Sequence, residues 1–366
     1  MPLAQRWRHW LPRPFGERVG VRGGGGATAL ALTPALSQRE REKGDLGERQ
    51  RERQREKGGQ GEREFMRRRA LLHAAWAWPL TASFAHAQSP ANAPLRVVTS
   101  FSILANITSE ISGSLAEVTS LVGAGIDAHV YQPSPADAQR LAKADLIVIN
   151  GLGFEGWIPR LIAASGARAP VVVASEGIAP RMLAGRPDPH AWQSLVHARR
   201  YVENIRAGLA AARPAQAAEF ARRAASYLGR IDTLDAAARA RFARIAPDQR
   251  RVISSHDAFG YLGDAYGIHF FAPQGRSTET EASAADMARV ITQIRAQRIR
   301  AVFVENMGDR RLIDSVAREG RVGIGGTLYS DTLSPPGTAA DTYLKLYAHN
   351  IESIAAALSS GVEQKP

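Results

Sequence analysis

The chain has 366 residues, 45% of them hydrophobic and 22% charged, and contains no cysteine. That balance excludes a mostly disordered chain and a polytopic membrane protein, and it excludes disulfides, thiolate metal sites and cysteine nucleophiles. A net charge of +12 would point to nucleic acid were it spread over the folded part. It is not. Residues 1–65 hold 14 Lys and Arg against 9 Asp and Glu, and Arg67, Arg68 and Arg69 add three more cations, whereas residues 88–366 carry 30 basic against 26 acidic side chains. No nucleic-acid partner is expected, and the length suits about two domains.

Residues 1–65 contain a Gly23–Gly26 run and near-repeats of mixed charge, QREREKG and RQREKG, without a lasting apolar period. Such a segment cannot bury enough surface to offset its ordering entropy. LTPALSQREREKG resembles a translated intergenic bacterial repeat, so a mis-called start with Met66 as initiator is expected; a genuine basic arm is the other reading. From Met66 the pattern is an export signal. Arg67–Arg69 precede the apolar stretch from Ala70 to Phe84, and Ala85-His86-Ala87 is a small-x-small cleavage site. The stretch is short for a bilayer span of about 20 residues. Arg68-Arg69 leaves twin-arginine export open beside the general route. With no cysteine for a lipid, the expected product is free in the periplasm.

Beyond residue 88, strand-like runs alternate with helical stretches: Arg96–Phe101, Val118–Val122, Asp145–Asn150, Pro170–Ala174, then Arg251–Ser255, Ile268–Phe271 and Ala301–Glu305. The alternation predicts mainly parallel α/β sheets flanked by helices. Between Pro214 and Ala246, Phe220, Ala224, Leu228, Ile231, Leu234, Ala238, Phe242 and Ile245 recur every three or four residues, the period of one long amphipathic helix. Two helices broken at Gly229 are the alternative. The expected organisation is a signal peptide at 66–87, an N-terminal α/β lobe at 88–213, a linking helix at 214–246 and a C-terminal α/β lobe at 247–366.

Three histidines stand in unusual contexts. His129 lies in DAHVYQPSPAD, His190 in PDPHAW, and His256 directly after the apolar run RVISS. Ligands of α/β sheets bind beyond the carboxyl ends of the strands, where three such segments can converge, and Asp331 in LYSDTLS is a fourth candidate. Imidazoles with one carboxylate suit zinc and related divalent ions. Asp127, Asp188 and Asp257, close in sequence to these histidines, are candidates to hold the second ring nitrogens. His197, His269 and His349 read as ordinary helix or strand residues. Trp157 and Trp192 read as cleft wall or core, and Glu305 as a residue reaching the cleft or making a structural hydrogen bond.

At these residues the chain resembles the zinc- and manganese-binding solute-binding proteins of ABC uptake transporters, over about residues 94–358. DAHVYQPSPAD, DPHAW, SSHDAFGYL and YSDTLS followed by GTAADTYL match the family's ligand segments in order, and NGLGFEGWI matches a segment between the first two. The resemblance implies His129, His190, His256 and Asp331 as metal ligands, two α/β lobes joined by a long helix, and a monomer that passes Zn²⁺ or Mn²⁺ to a membrane permease. Ala128 stands where the family often has proline. Residues 175–187 lack the histidine-rich loop of many zinc-dedicated members, while histidine rather than glutamate at 256 leans toward zinc. Limited lobe movement is expected, with local change in the loops carrying His190 or His256. The alternative function is a zinc hydrolase on three histidines, with Glu279, Glu281 or Glu305 as base.

Overall fold

The computed structural model describes residues 93–360. The expectations for residues 1–65 and for the export signal at 66–87 lie outside the described residues. No helix among the described residues is long and apolar enough to cross a membrane.

Two four-stranded parallel sheets organise the fold. The first comprises β1 (Leu95–Phe101), β2 (Ala116–Val122), β3 (Leu146–Ile149) and β4 (Val171–Val173) in the order β2-β1-β3-β4. The second comprises β7 (Arg251–Ile253), β8 (His269–Phe271), β9 (Ala301–Glu305) and β10 (Gly323–Leu328) in the order β10-β9-β7-β8. The central strands LIVI and AVFVE are buried along their whole length. Continuous apolar runs are what a parallel sheet covered on both faces requires. The coverings of the first sheet include α1 (Ser102–Ser112), α2 (Pro135–Ala142), α3 (Ile158–Ser165) and α4 (Leu195–Ala212). Those of the second include α6 (Gly260–Tyr266), α7 (Ala284–Gln297), α8 (Arg310–Gly320) and α9 (Tyr343–Ser360).

Between the two sheets in chain order comes α5 (Ala217–Phe242), 26 residues without a break at Gly229, or about 39 Å at 1.5 Å per residue. Short 3-10 turns at Pro214–Gln216 and Pro247–Gln249 bound it, so the helix is shorter at both ends than the 214–246 periodicity suggested. Phe220, Ala224, Ile231, Ala238 and Phe242 form its buried face as expected; Tyr227 joins them, while Leu228 and Leu234 are only partly buried. It packs against α1, α4, α6 and α9. One continuous apolar core contains Val97 and Val148 of the first sheet, Val252 and Phe303 of the second, and the α5 face.

Two elements had no sequence signal. The hairpin β5 (Met182–Leu183) and β6 (Arg186–Pro187) turns on Ala184 and Gly185, both at positive φ, the geometry of a primed two-residue turn. Strand β10 reads GIGGTL and bends at a bulge between Ile324 and Gly326. A Cβ at Gly325 would sit 2.7 Å from the Phe303 ring, so close packing requires glycine where a strand pattern wants bulk. Elsewhere Asn150, Ala174, Ser254 and Ser255 fall outside the ladders assigned to them, because the chain turns there into the loops of the site.

Candidate metal centre

Each candidate ligand is delivered from the carboxyl side of a sheet. His129 follows β2 by seven residues, His190 follows the β5–β6 hairpin, and His256 and Asp331 each lie three residues past β7 and β10. The four lie up to 202 residues apart in sequence, yet each contributes an atom to a group whose members all lie within 4.8 Å of one another. His129 Nε2 is 3.4 Å from His190 Nε2 and 3.2 Å from Asp331 Oδ2. His256 Nε2 is 3.2 Å from Asp331 Oδ2, and His190 Nε2 is 3.7 Å from Asp331 Oδ1. Four donors set tetrahedrally at 2.0–2.1 Å from zinc would be separated by about 3.3 Å, so the spacing fits a single ion.

The local sequence explains how each segment is held. In DAHVYQPSPAD, Ser134 and Asp137 form a capping box with Pro135 in the first turn of α2. The buried Asp137 also accepts from Tyr131 Oη at 2.9 Å, fixing the chain just past His129. Trp157 Nε1 donates to the Ala128 carbonyl at 2.9 Å. In PDPHAW, Asp188 Oδ1 lies 2.8 Å from His190 Nδ1 and also accepts the His190 N–H. Trp192, fully buried, donates its Nε1 to the Ser330 carbonyl at 2.9 Å, and Gln193 donates to the same oxygen at 2.7 Å. Trp192 thus ties two candidate ligand loops together, and Trp157 ties the His129 loop to the start of α3.

Of the three aspartates expected to orient histidine rings, Asp188 is in place. Asp127 instead accepts the backbone N–H of His129 at 2.8 Å and the Thr278 hydroxyl at 2.6 Å. The ring of His256 is held by Glu305, not by Asp257: Glu305 Oε2 is 2.7 Å from His256 Nδ1 and Oε1 accepts the His256 N–H at 2.8 Å. Glu305 closes a buried strand, whereas Asp257 turns its own N–H to the Gly275 carbonyl. In each case the Nε2 atom is left facing the common centre.

The centre is almost dry. His129 is 6% exposed, and His190, His256 and Asp331 are 1% or less. Both Asp331 oxygens and His256 Nε2 are buried without an aligned hydrogen-bond partner. Buried polar atoms of that kind are costly unless something else satisfies them, and a divalent ion held there would do so. Burial alone would lower the His256 pKa, but the Glu305 and Asp331 carboxylates outweigh it and hold it well above the usual histidine value. Burial would raise the Asp331 pKa, yet the His256 and His190 imidazoles and the contacts from His129 and His256 hold it well below the carboxylate range.

The remaining candidates lie elsewhere. His197 is half-buried edge-on to Tyr261, His269 is exposed on β8, and His349 on α9 reaches the Thr327 carbonyl. Glu279 and Glu281 are exposed, and Glu305 is engaged by His256. Tyr343 and Tyr347 on the last helix are fully buried and donate to the carbonyls of Trp192 and Gln193. Sequence reasoning also missed Asn150, whose Nδ2 donates to the Pro189 carbonyl at 2.9 Å, and Tyr261, whose hydroxyl donates to the Asp188 carbonyl at 3.0 Å. Asn150 carried a usable signal, a polar residue closing the apolar run DLIVI.

Residues 97–357 match the family described as zinc-uptake complex component A, periplasmic. The chain is 32% identical to the manganese-binding lipoprotein MntA of Halalkalibacterium halodurans over 72% of its length and 89% of that protein. It is 34% identical to the iron-binding protein YfeA of Yersinia pestis over 71% of its length and 85% of that protein. The solved structure of the periplasmic zinc-binding protein TroA from Treponema pallidum superimposes with a TM-score of 0.70 at 31% identity, covering 73% of this chain and 99% of that one.

Proposed function

The chain belongs to the periplasmic zinc-uptake component A family, and from that premise we propose that it captures a divalent transition metal in the periplasm and delivers it to an ABC-type membrane permease. The observation that carries this reading is the convergence of His129, His190, His256 and Asp331, with both Asp331 oxygens buried and lacking an aligned hydrogen-bond partner. The proposed role of the four side chains is to hold the ion, with Asp188 and Glu305 fixing the rings of His190 and His256. The binding unit is proposed to be a monomer.

Zinc is the favoured cargo and manganese the alternative. Relatives of similar identity are named for manganese and iron, and a structural neighbour for zinc, so names alone do not choose. The donor set supports zinc. Three imidazoles and one carboxylate give a four-coordinate nitrogen-rich site, whereas Mn²⁺ favours more oxygen donors and stands lowest in the affinity order of the divalent series.

Titration of chelator-stripped protein with Zn²⁺ and Mn²⁺ tests both statements. One equivalent of zinc should bind, more tightly than manganese, and Asp331→Ala should weaken binding. If the stripped protein takes up neither ion, the reading fails.

A further inference from the structure

The four proposed ligands are not held alike. Four carbonyls of the His190 segment are taken by side chains from other elements: Asp188 by Tyr261 of α6, Pro189 by Asn150 beyond β3, Trp192 by Tyr343 of α9, and Gln193 by Tyr347 of α9. Trp192 and Gln193 then hold the Ser330 carbonyl beside Asp331. All of these donors are buried, so parting any pair strands a polar group out of reach of water. His190 and Asp331 form a fixed half of the centre.

The His129 segment has lighter ties, since its bonds through Trp157, Tyr131 and Asp127 are only part-buried. His129 is the most exposed of the four, and its neighbours Ile126 and Val130 are each 49% exposed, which puts the way in and out on that side. Residues 272–283, connecting β8 to α7, reach the segments of both His256 and His129. Gln274 N–H donates to the Ser255 carbonyl at 3.3 Å, and Asp257 N–H to the Gly275 carbonyl at 3.0 Å, joining the connection to the His256 segment. Further along, Thr278 Oγ1 donates to Asp127 Oδ2 at 2.6 Å, and the other oxygen of that carboxylate holds the His129 N–H.

We propose that Thr278 is a positioning residue for metal retention: through Asp127 its hydroxyl latches residues 272–283 to the His129 segment and sets the rate at which the ion leaves. This rests on the metal-capture reading. Thr278 supplies no ligand atom, so the latch acts on the loop and leaves the donor set intact. Its bond is hydroxyl to carboxylate, charge-assisted, but Thr278 is half-buried, where water can replace the partner. The latch therefore opens more readily than the buried ties at His190. Movement on release belongs to the His129 side rather than to the loop of His190.

The test compares Thr278→Val, which keeps the shape and removes the hydroxyl, with Thr278→Ser, which keeps the hydroxyl. Each full-length protein is loaded with Zn²⁺ and mixed rapidly with excess chelator, and the Co²⁺ absorption spectrum is recorded separately. The latch predicts about tenfold faster zinc release for Thr278→Val, near wild-type release for Thr278→Ser, and the same Co²⁺ spectrum for all three. Release from Thr278→Val at the wild-type rate would overturn it, as would equal acceleration by both variants or an altered Co²⁺ spectrum in Thr278→Val. Wild-type protein that binds neither Zn²⁺ nor Co²⁺ would instead defeat the metal-capture reading, and the latch with it.

Discussion

Glu305 holds His256 with both oxygens of one carboxylate, Oε2 at 2.7 Å from the ring Nδ1 and Oε1 at 2.8 Å from the backbone nitrogen. The close ion-pair contact keeps Nδ1 on the Glu305 side and leaves Nε2 turned to the centre. Glu305→Gln keeps the shape but loses the charge that makes the imidazole a better donor. Metal affinity should fall by about ten- to a hundredfold, measured by competition with a chromophoric chelator. Unchanged affinity would mean that the pairing serves the fold alone.

The same pairing sets a pH dependence. The folded-state pKa of His256 is raised above its usual value by Glu305 and Asp331, against the effect of burial. In the metal-free chain its charge therefore stabilises the fold fully below about pH 6.5, and this contribution is lost as pH rises through the raised folded value. An incoming ion must displace that proton. Calorimetric titration at pH 7 in buffers of different ionisation heat should show release of about one proton. Apparent affinity should keep rising above pH 6.5 rather than level off there. Binding without proton release at pH 7 would contradict the assignment.

Tyr261 is tied to the residues that flank the β5–β6 hairpin on either side. Its hydroxyl receives the Arg181 N–H at 2.9 Å and donates to the buried Asp188 carbonyl. Tyr261→Phe leaves that carbonyl without its donor. Metal-free protein should lose about 1–3 kcal/mol in denaturant unfolding, and saturating zinc should recover part of the loss by mass action.

The packing of β10 on its neighbours makes a separate prediction. Gly325→Ala places a methyl 2.7 Å from the Phe303 ring and 3.0 Å from Ala357. An overpacked core of this kind costs about 1–3 kcal/mol. Thermal unfolding should shift downward while zinc stoichiometry stays unchanged, because Asp331 lies six residues further on, beyond the end of the strand.

Much of the architecture was legible in the sequence because buried parallel strands must be apolar throughout and the long helix must repeat at 3.6 residues. LIVI, AVFVE and the α5 stripe each carry that pattern on a single segment. Strand β10 did not, since its glycines answer to a ring on another strand. The ligand positions were visible through their surrounding motifs. Their partners were not: Glu305 lies 49 residues from His256, and Asn150, Tyr261, Tyr343 and Tyr347 hold the His190 segment from two different helices and a strand end. A hydrogen bond to a backbone carbonyl places no demand on the sequence of its acceptor, so nothing near His190 announces its donors.

The central claim is that one ion sits among four named side chains, and X-ray absorption spectroscopy of the zinc-loaded protein addresses it most directly. The account predicts a four-coordinate first shell with three imidazole nitrogens and one carboxylate oxygen at about 2.0–2.1 Å, losing one imidazole in His129→Ala. A shell made mainly of oxygen, or one unchanged by that substitution, would contradict it.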